Sequence, residues 1–475
     1  MIPSGQDAGQ RRCDGSDWEV TTDRHPTSSK HQLQNTECAP SLHLENLPAE
    51  LRVLILSKAP DLPTLRALVR ASPVLHAQYR NDRNNILRAC LSREMDGVLI
   101  DAYATTMSRV CELGPRTDQT ITNYLSGYQT WLSSSCPFPD IKSIDPGRLR
   151  WIAAYHISIA RPLARLYSKW AQANLKKAVV LSTGQHRAAV GDINDSAEKE
   201  TENATYLSDH DVKLSRSEEI RVFRALYRYE TYHHLFGQNQ RQRRGAFRDS
   251  EINSLFFCLF DPWEVEAIGC IYTFIRFRYE DIFNQVKPDL HPTNERFRQG
   301  NGVFNPAGSH DLDWEHDDYM HGTISRGLKL TARLLVIDDH EKLVAKMQRC
   351  LTHFRELDDT MSEALGIMAQ SERRDTSTNA RDEAEQRRDS IHFGGDVVPP
   401  DGPPFAWVVL WGGKYSNIYG EYVPESVSQW GYVMWDERRW ADMGADENLV
   451  AGQWKTSPHL VDEIENDYNW RPVGP

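Results

Sequence analysis

The strongest constraint on this fold is a run of apolar residues with helical spacing near the start of the chain, between Leu47 and Tyr79. Its first four members stand at positions i, i+4, i+7 and i+8, which is one face of an α-helix; they are Leu47, Leu51, Leu54 and Ile55. Pro48 falls in the first turn, where its missing N–H costs nothing. The pattern therefore predicts a short helix with one apolar face.

Two more short helices are predicted directly after it. The apolar spacing repeats from Leu62 to Val69, and Asp61 stands at the position of an N-cap. Ser72 and Pro73 form a helix start signal, because a hydroxyl cap is followed by proline at the first helical position. Three helices of this length cannot complete a core alone, since domains below about 40 residues usually need a partner or more chain.

These residues carry a resemblance to a known family. The order Leu-Pro-x-Glu-Leu-x-x-x-Ile-Leu, a gap, Leu-x-x-Leu-Val and then Ser-Pro resembles the F-box-like domain that opens many uncharacterised proteins of filamentous fungi. Later blocks look like the same family, so that the resemblance covers most of residues 42 to 440 in patches. These blocks are Asp82 to Met107, Ser217 to Gly237, Pro262 to Ile271 and Trp430 to Asp436.

The resemblance implies a mainly α-helical fold and a place in cullin-type ubiquitin ligases. It also implies that six residues face a Skp-type adaptor protein: Leu47, Pro48, Leu51, Ile55, Leu65 and Val69. Many F-boxes carry a tryptophan in the third helix, packed against the adaptor, whereas this chain offers His76 and Tyr79 there. The segment could therefore also be a box that is retained for its fold alone.

Composition and charge argue against several classes of protein. The net charge of −12 is unsuited to a general binder of nucleic acid or anionic membranes. The eight cysteines are scattered and form no Cys-x-x-Cys, so neither a disulfide framework nor a zinc site is predicted. The N-terminus is polar, so no signal peptide is predicted. No run of about 18 apolar residues occurs, so no membrane span is predicted. We expect an intracellular protein of the cytoplasm or nucleus, without a cofactor.

Polar and proline-rich stretches divide the chain into predicted parts. In chain order they are a disordered leader 1–41, the F-box-like helical module 42–112, a helical segment 113–183, a linker 184–214, a helical body 215–370, a charged, proline-rich tether 371–404 and a Trp-rich, partly irregular C-terminal region 405–475. Long helices are predicted at Asp82–Glu112 and, as one helix or a pair, at Ile324–Met368. Capping boxes are predicted at Ser215 and at Asp261, each with a glutamate three residues later.

The densest group of metal-capable side chains lies between His310 and His321. His316-Asp317 resembles the His-Asp pair of helical phosphohydrolases, and His233-His234 could supply further ligands. The ligand spacing of a known metal site is missing, however, and the local Gly and Pro content favours a solvated acidic loop. We therefore assign no metal ligand and no catalytic residue.

Two aromatic stretches are candidates for binding. The basic, aromatic stretch from Arg216 to Arg248 could bind phosphate or RNA. The acidic charge of the whole chain favours a different interpretation, in which the aromatic rings are core and the arginines pair with acids. The seven tryptophans after Phe405 are likewise expected to form a small core rather than a binding platform.

The leading hypothesis is a non-enzymatic F-box-like adaptor that joins a Skp–cullin ubiquitin ligase and presents an unknown target protein. A structural or interaction protein without a ligase link is the alternative. A metal-dependent enzyme that uses the His310–His321 cluster is the third and weakest hypothesis.

Overall fold

The structure, a computed structural model, describes residues 44–135, 138–190, 213–237, 247–297, 306–353, 361–376, 380, 389–396, 401–458 and 461. The predicted leader and most of the predicted linker lie outside these residues. The described part is mainly α-helical and has no β-strand, which confirms the predicted fold class. None of its helices is both long and apolar enough to span a lipid bilayer.

The helices are labelled in chain order. The first eight are α1 (Ala49–Ser57), α2 (Leu62–Ala71), α3 (Pro73–Glu94), α4 (Leu99–Met107), α5 (Val110–Leu113), α6 (Asp118–Leu132), α7 (Pro146–Tyr155) and α8 (Arg161–Val190). The others are α9 (Arg216–Leu235), α10 (Asp249–Leu255), α11 (Pro262–Leu290), α12 (His316–Ile324), α13 (Leu328–Leu334), α14 (His340–Cys350), α15 (Met361–Ala364), α16 (Ile367–Thr376), α17 (Phe405–Leu410), α18 (Glu425–Gln429), α19 (Glu437–Asp442) and α20 (Glu447–Val450).

The chain forms two compact units. Among the described residues, the first contains those of 44–106 and 138–159, and the second contains those of 107–135 and those from 160 on. The first unit thus includes α7, which lies outside the predicted module 42–112. The reason is packing, because α7 lies against α3 and buries Leu149 and Ile152 completely.

In the first unit, α1 and α2 both pack on α3, and Leu56 and Leu65 are buried in their shared core. Helix α3 is kinked at Asp82, where φ is −110° and ψ is 19°. The predicted third short helix and the start of the predicted long helix are therefore one element. The long helix does not continue to Glu112, because Gly97 adopts a φ of +77° between α3 and α4.

In the second unit, α9 and α11 form an extensive helix pair. Both begin at the predicted capping boxes. The Ser215 hydroxyl accepts from the Glu218 N–H at 3.2 Å, and the Glu218 carboxylate accepts from the Ser215 N–H at 2.9 Å. At the start of α11, the Glu264 carboxylate accepts from the Asp261 N–H at 3.2 Å, whereas the Glu264 N–H donates to the Asp261 carbonyl oxygen at 2.8 Å and not to its side chain. These caps satisfy backbone donors that a helix start leaves unpaired.

The predicted helix or helix pair from Ile324 to Met368 is divided among α12 to α16. One break occurs at Gly327, whose φ is +82° and where a Cβ would lie 2.6 Å from the Glu230 carboxylate. That carboxylate accepts a hydrogen bond from the Leu328 N–H at 2.6 Å, at the start of α13. The break therefore lets a buried acid cap a helix, which apolar spacing does not reveal.

The predicted tether begins inside a packed helix, since α16 continues to Thr376. Arg373 on this helix is only 1% exposed. Its Nη1 donates to Asn253 Oδ1 and to the Tyr419 hydroxyl, both at 3.1 Å. One of the charged residues in the predicted tether is thus a buried arginine with polar partners. The helical body extends through residue 376.

The Trp-rich C-terminal region contributes to the core of the second unit, as expected. Trp407, Trp435 and Trp440 are at most 1% exposed. Arg221 of α9 ties this region down, because its guanidinium lies 2.9 Å from an Asp436 carboxylate oxygen and 3.0 Å from one of Asp396. The tryptophans described here are thus packing residues.

Replacement of Trp263, in the first turn of α11, tests whether this core contributes to stability. Trp263 is 9% exposed and packs edge to face on Trp407, with 5.1 Å between ring centroids. We expect Trp263→Ala to lower the free energy of unfolding by roughly 3 to 5 kcal/mol, as for other buried aromatics. Trp314, which is 89% exposed, provides the matched control, and Trp314→Ala should change stability by less than about 0.5 kcal/mol. Denaturant unfolding measures both, and equal effects would contradict the assignment.

Candidate functional site

The outer side of α1 exposes large apolar side chains. Leu51 is 44% exposed and Leu54 is 52% exposed, while Leu44, just before the helix, is 46% exposed. Pro48 is also exposed, and Leu47 and Ile55 are half-buried. We call the surface formed by Leu47, Pro48, Leu51, Leu54 and Ile55 the α1 face. It is the apolar face that the sequence spacing predicts, and it points towards solvent.

Helix α1 exposes this face because its opposite side is also apolar and is already used. Leu56 is fully buried, and Ala59, just after the helix, is 3% exposed. A contiguous apolar patch on a protein surface commonly marks an interaction site. The α1 face is therefore a candidate docking surface.

Polar contacts fix both ends of α1. Before the helix, the Ser72 hydroxyl donates to the Glu45 carboxylate at 2.5 Å. After it, Arg93 Nη2 donates to the carbonyl oxygens of Ser57 at 2.7 Å and Ala59 at 2.5 Å. Carbonyls at the end of a helix have no partner within the helix, so the arginine supplies one. The α1 face is thus presented by a helix that α3 holds at each end.

The six residues implied by the family resemblance fall into two groups. Leu47, Pro48, Leu51 and Ile55 belong to the α1 face, whereas Leu65 and Val69 lie in the core of the first unit. Leu65 is 3% exposed and Val69 is 5% exposed. The latter two support the helices and do not offer a surface to a partner in this structure.

Of the two positions singled out in the third helix, Tyr79 is buried and His76 is exposed. Tyr79 is 2% exposed, with the Arg83 guanidinium 5.9 Å from its ring centroid. It lines a cavity of 20 Å³, room for about one water molecule, together with Leu62 and Leu65. Tyr79 therefore serves the fold of the first unit.

A second candidate site is a cleft of 530 Å³ in the second unit, which we call the α11 cleft. Its floor is one side of α11 and includes Glu266, Gly269 and Thr273. Its walls come from α12, from the segment around Ser362, and from residues 420–428. A cleft of this size with convergent polar groups is typical of a ligand site.

Glu266 is the unusual group of the α11 cleft. It is 2% exposed, and its carboxylate accepts a hydrogen bond from the Gly420 N–H at 2.6 Å. Burial raises the pKa of Glu266 to about 7, although the Gly420 N–H and the Tyr432 hydroxyl act in the opposite direction. Arginine, lysine and histidine are absent from the described groups that shift it. Glu266 is thus a buried acid without a cationic partner in the described part of the chain.

The structure does not gather the His310–His321 cluster into one site. His310 lies against Tyr319, His316 lies 3.5 Å from Glu280, and His321 faces the α11 cleft. Within the described residues, the ligand atoms of one trio approach within 4.8 Å of one another, and these are His291, Asp311 and Asp313. Asp313 is already paired with Lys287. Two acids of the predicted cluster, Asp311 and Asp313, thus lie in this trio, and its histidine comes from outside the cluster.

His233 and His234 lie apart from that cluster. His233 is 5% exposed and packs edge to face on Tyr229 at 4.3 Å. Burial lowers the pKa of His233 to about 3, so the ring is neutral at physiological pH. His234 Nδ1 lies 2.8 Å from the Ser108 hydroxyl, and its Nε2 lies 3.4 Å from the Glu230 carboxylate. Both rings therefore belong to the packing of α9.

Within the basic, aromatic stretch the structure describes α9 and the residues from Phe247 on, and several arginines of α9 are paired. Arg228 Nη1 lies 2.9 Å from the Glu264 carboxylate, and Arg224 contacts both Glu264 and Asp401. Arg241, Arg243 and Arg244 lie outside the described residues. Arg224 and Arg228 thus stabilise the fold, whereas Arg216 and Arg248 are exposed and pair with Glu219 and Glu372.

Comparisons with known proteins give no relative for this chain. No family model matches it, and neither a curated protein nor a solved structure is significantly similar.

Sequence reasoning missed Glu266, although a signal was present. The residue interrupts the apolar run Val265–Ile268 inside a strongly predicted helix. An acid in such a run is either exposed on a helix side or buried for a reason, and spacing alone does not separate the two. Its hydrogen-bond partner Gly420 is 154 residues away.

The raised pKa predicts how Glu266 affects stability. The folded pKa of about 7 exceeds the unfolded value of 4.5, so the folded state retains a proton that the unfolded chain releases between these pH values. The contribution is fully present below pH 4.5 and is lost as the pH rises through 7. The stability of Glu266→Gln relative to the wild type should therefore rise with pH, by roughly 2 to 3 kcal/mol between pH 5 and pH 8.

Chemical denaturation at pH 5 to 8 measures this difference. The exposed Asp281 lies on the same helix, and Asp281→Asn provides a control that should show no such trend. If the difference in unfolding free energy between Glu266→Gln and the wild type does not grow with pH, folding does not raise the pKa of Glu266.

Proposed function

We propose that this chain is a non-enzymatic F-box-like adaptor that binds a Skp-type adaptor protein through the α1 face. In this role it would act inside the cell as a substrate receptor of a Skp–cullin ubiquitin ligase. The observation that carries the proposal is the exposure of the apolar face of α1, at the positions where the family pattern has its Leu-Pro start. The target protein is not identified.

Energetics support a partner for this surface. Burial of apolar area contributes about 25 cal/mol per Å². Leu51 and Leu54 leave large parts of their side chains in water, and two more residues of the face are half-buried. A partner that covers them gains this free energy without first ordering the helix, because Glu45 and Arg93 already hold its ends.

The alternative is a structural or interaction protein without a ligase link. Its support is the burial of Tyr79, Leu65 and Val69, which gives the first unit a core of its own. In that case α1 would still dock a partner, but the partner would not be a Skp-type adaptor.

Changes in the α1 face should separate these functions. We expect Leu51→Glu combined with Leu54→Glu to weaken binding of a recombinant Skp-type adaptor at least tenfold, since interface leucines replaced by charges lose burial and strand a desolvated carboxylate. Both side chains are exposed, so the fold should persist. Surface plasmon resonance with the full chain measures the affinity.

Met368 provides the matched control. It is 82% exposed and lies in the second unit, so Met368→Glu should leave adaptor binding unchanged. Circular dichroism melts establish that all variants are folded. A wild-type chain that does not bind the adaptor would contradict the ligase role and leave the interaction role as the better account of α1.

A further inference from the structure

The α11 cleft carries a polar stripe on its floor. Glu266, Gly269, Thr273 and Arg276 are spaced by three, four and three residues, so they lie along one side of α11, and all four line the cleft. The opposite walls add apolar surface from Met320 and Leu365. The cleft thus combines one buried acid with an elongated, partly apolar passage.

Gly269 keeps this passage open. A Cβ built at this position meets no atom within 4 Å. Glycine inside a helix is less stable than alanine at the same position. No contact in the described structure requires the glycine, so its effect is to leave space one turn beyond Glu266. Open space of this kind is expected where another molecule approaches the helix backbone closely.

The charges around the cleft are mainly negative. Arg276 is engaged by Glu425, with 2.5 Å between guanidinium and carboxylate. Asp317 lies 3.2 Å from His316, and the Glu421 carboxylate accepts from the Ile367 N–H at 3.2 Å. None of these contacts supplies a positive charge to Glu266. The described lining of the cleft thus has more acidic side chains than basic ones.

A buried hydroxyl next to the passage is incompletely satisfied by the described residues. Tyr272 is 7% exposed and lines the cleft. Its hydroxyl lies near Ser362 but makes no hydrogen bond of normal geometry within the described part of the chain. Buried polar groups without such a bond are rare, so a ligand that supplies one is favoured.

The distribution of the acids argues against a metal ion. A metal needs several ligand atoms around one point, and the trio of described groups that meets this condition does not include a residue of the α11 cleft. The acids are instead spread along the passage. This arrangement suits a cation on a flexible apolar stem, whose methylene groups can contact Met320 and Leu365.

We propose that the α11 cleft binds a primary ammonium or guanidinium group on an alkyl stem, as in a lysine or arginine side chain of a basic protein segment, with Glu266 as its counter-ion. The stem passes over Gly269, and the cation ends at the buried carboxylate. This site lies within the second unit and does not require the adaptor role of α1.

Peptide binding to the full chain tests the proposal without a Skp-type adaptor, so that failure of one role leaves the other measurable. Fluorescence anisotropy would compare capped Gly/Ser decapeptides with a central lysine, arginine or norleucine. We expect the basic peptides to bind at least tenfold more tightly than the norleucine peptide. Glu266→Gln and Gly269→Leu should each remove this preference, the first through charge and the second by filling the passage.

Asp281→Asn, on the exposed side of α11, is the matched control and should retain the preference. Spermidine and calcium chloride serve as further probes. Binding of spermidine alone, lost in Gly269→Leu, would support the same cation site with a free polyamine as its source. Equal affinity for the norleucine peptide, binding unaffected by Glu266→Gln, calcium binding in place of organic cations, or no binding of any probe would each overturn the proposal.

Discussion

Helix α1 has more apolar surface than its own unit covers, and the proposed docking role depends on this excess. Its inner side packs on α3 and buries Leu56 completely, and its outer side leaves Leu51 and Leu54 about half exposed. The apolar side of a surface helix normally faces the core. Because Arg93 and Glu45 fix the helix ends, the exposed side is a defined surface, and a partner that covers it is the simplest resolution of this excess.

In the second unit, by contrast, acidic side chains within the fold are paired with hydrogen-bond donors. Glu218 pairs with Arg439 at 2.5 Å, Glu230 accepts from the Leu328 N–H, and Glu264 pairs with Arg228. Glu266 differs, since among the described residues it has an N–H donor but no cation. Removing a charge from water is expensive without compensation. This exception is the reason why we propose the α11 cleft as the site for an external cation.

Local signals in the sequence predicted the helix starts, because the capping boxes at Ser215 and Asp261 act within one turn. The apolar spacing of α1 also predicted which residues share a face. Spacing does not say what covers that face, so the exposure of Leu51 and the burial of Leu65 required the structure. The sequence does not predict the α11 cleft, for a different reason. Glu266 and its hydrogen-bond partner Gly420 are 154 residues apart, and no short sequence pattern connects them.

The most direct measurement of the central claim is amide hydrogen exchange of the full chain with and without a Skp-type adaptor. The account predicts that added protection is concentrated in residues 47–56, while α9 and α11 exchange as in the free chain. Exchange in α1 that does not change at saturating adaptor, or protection confined to the second unit, would contradict a docking role for the α1 face.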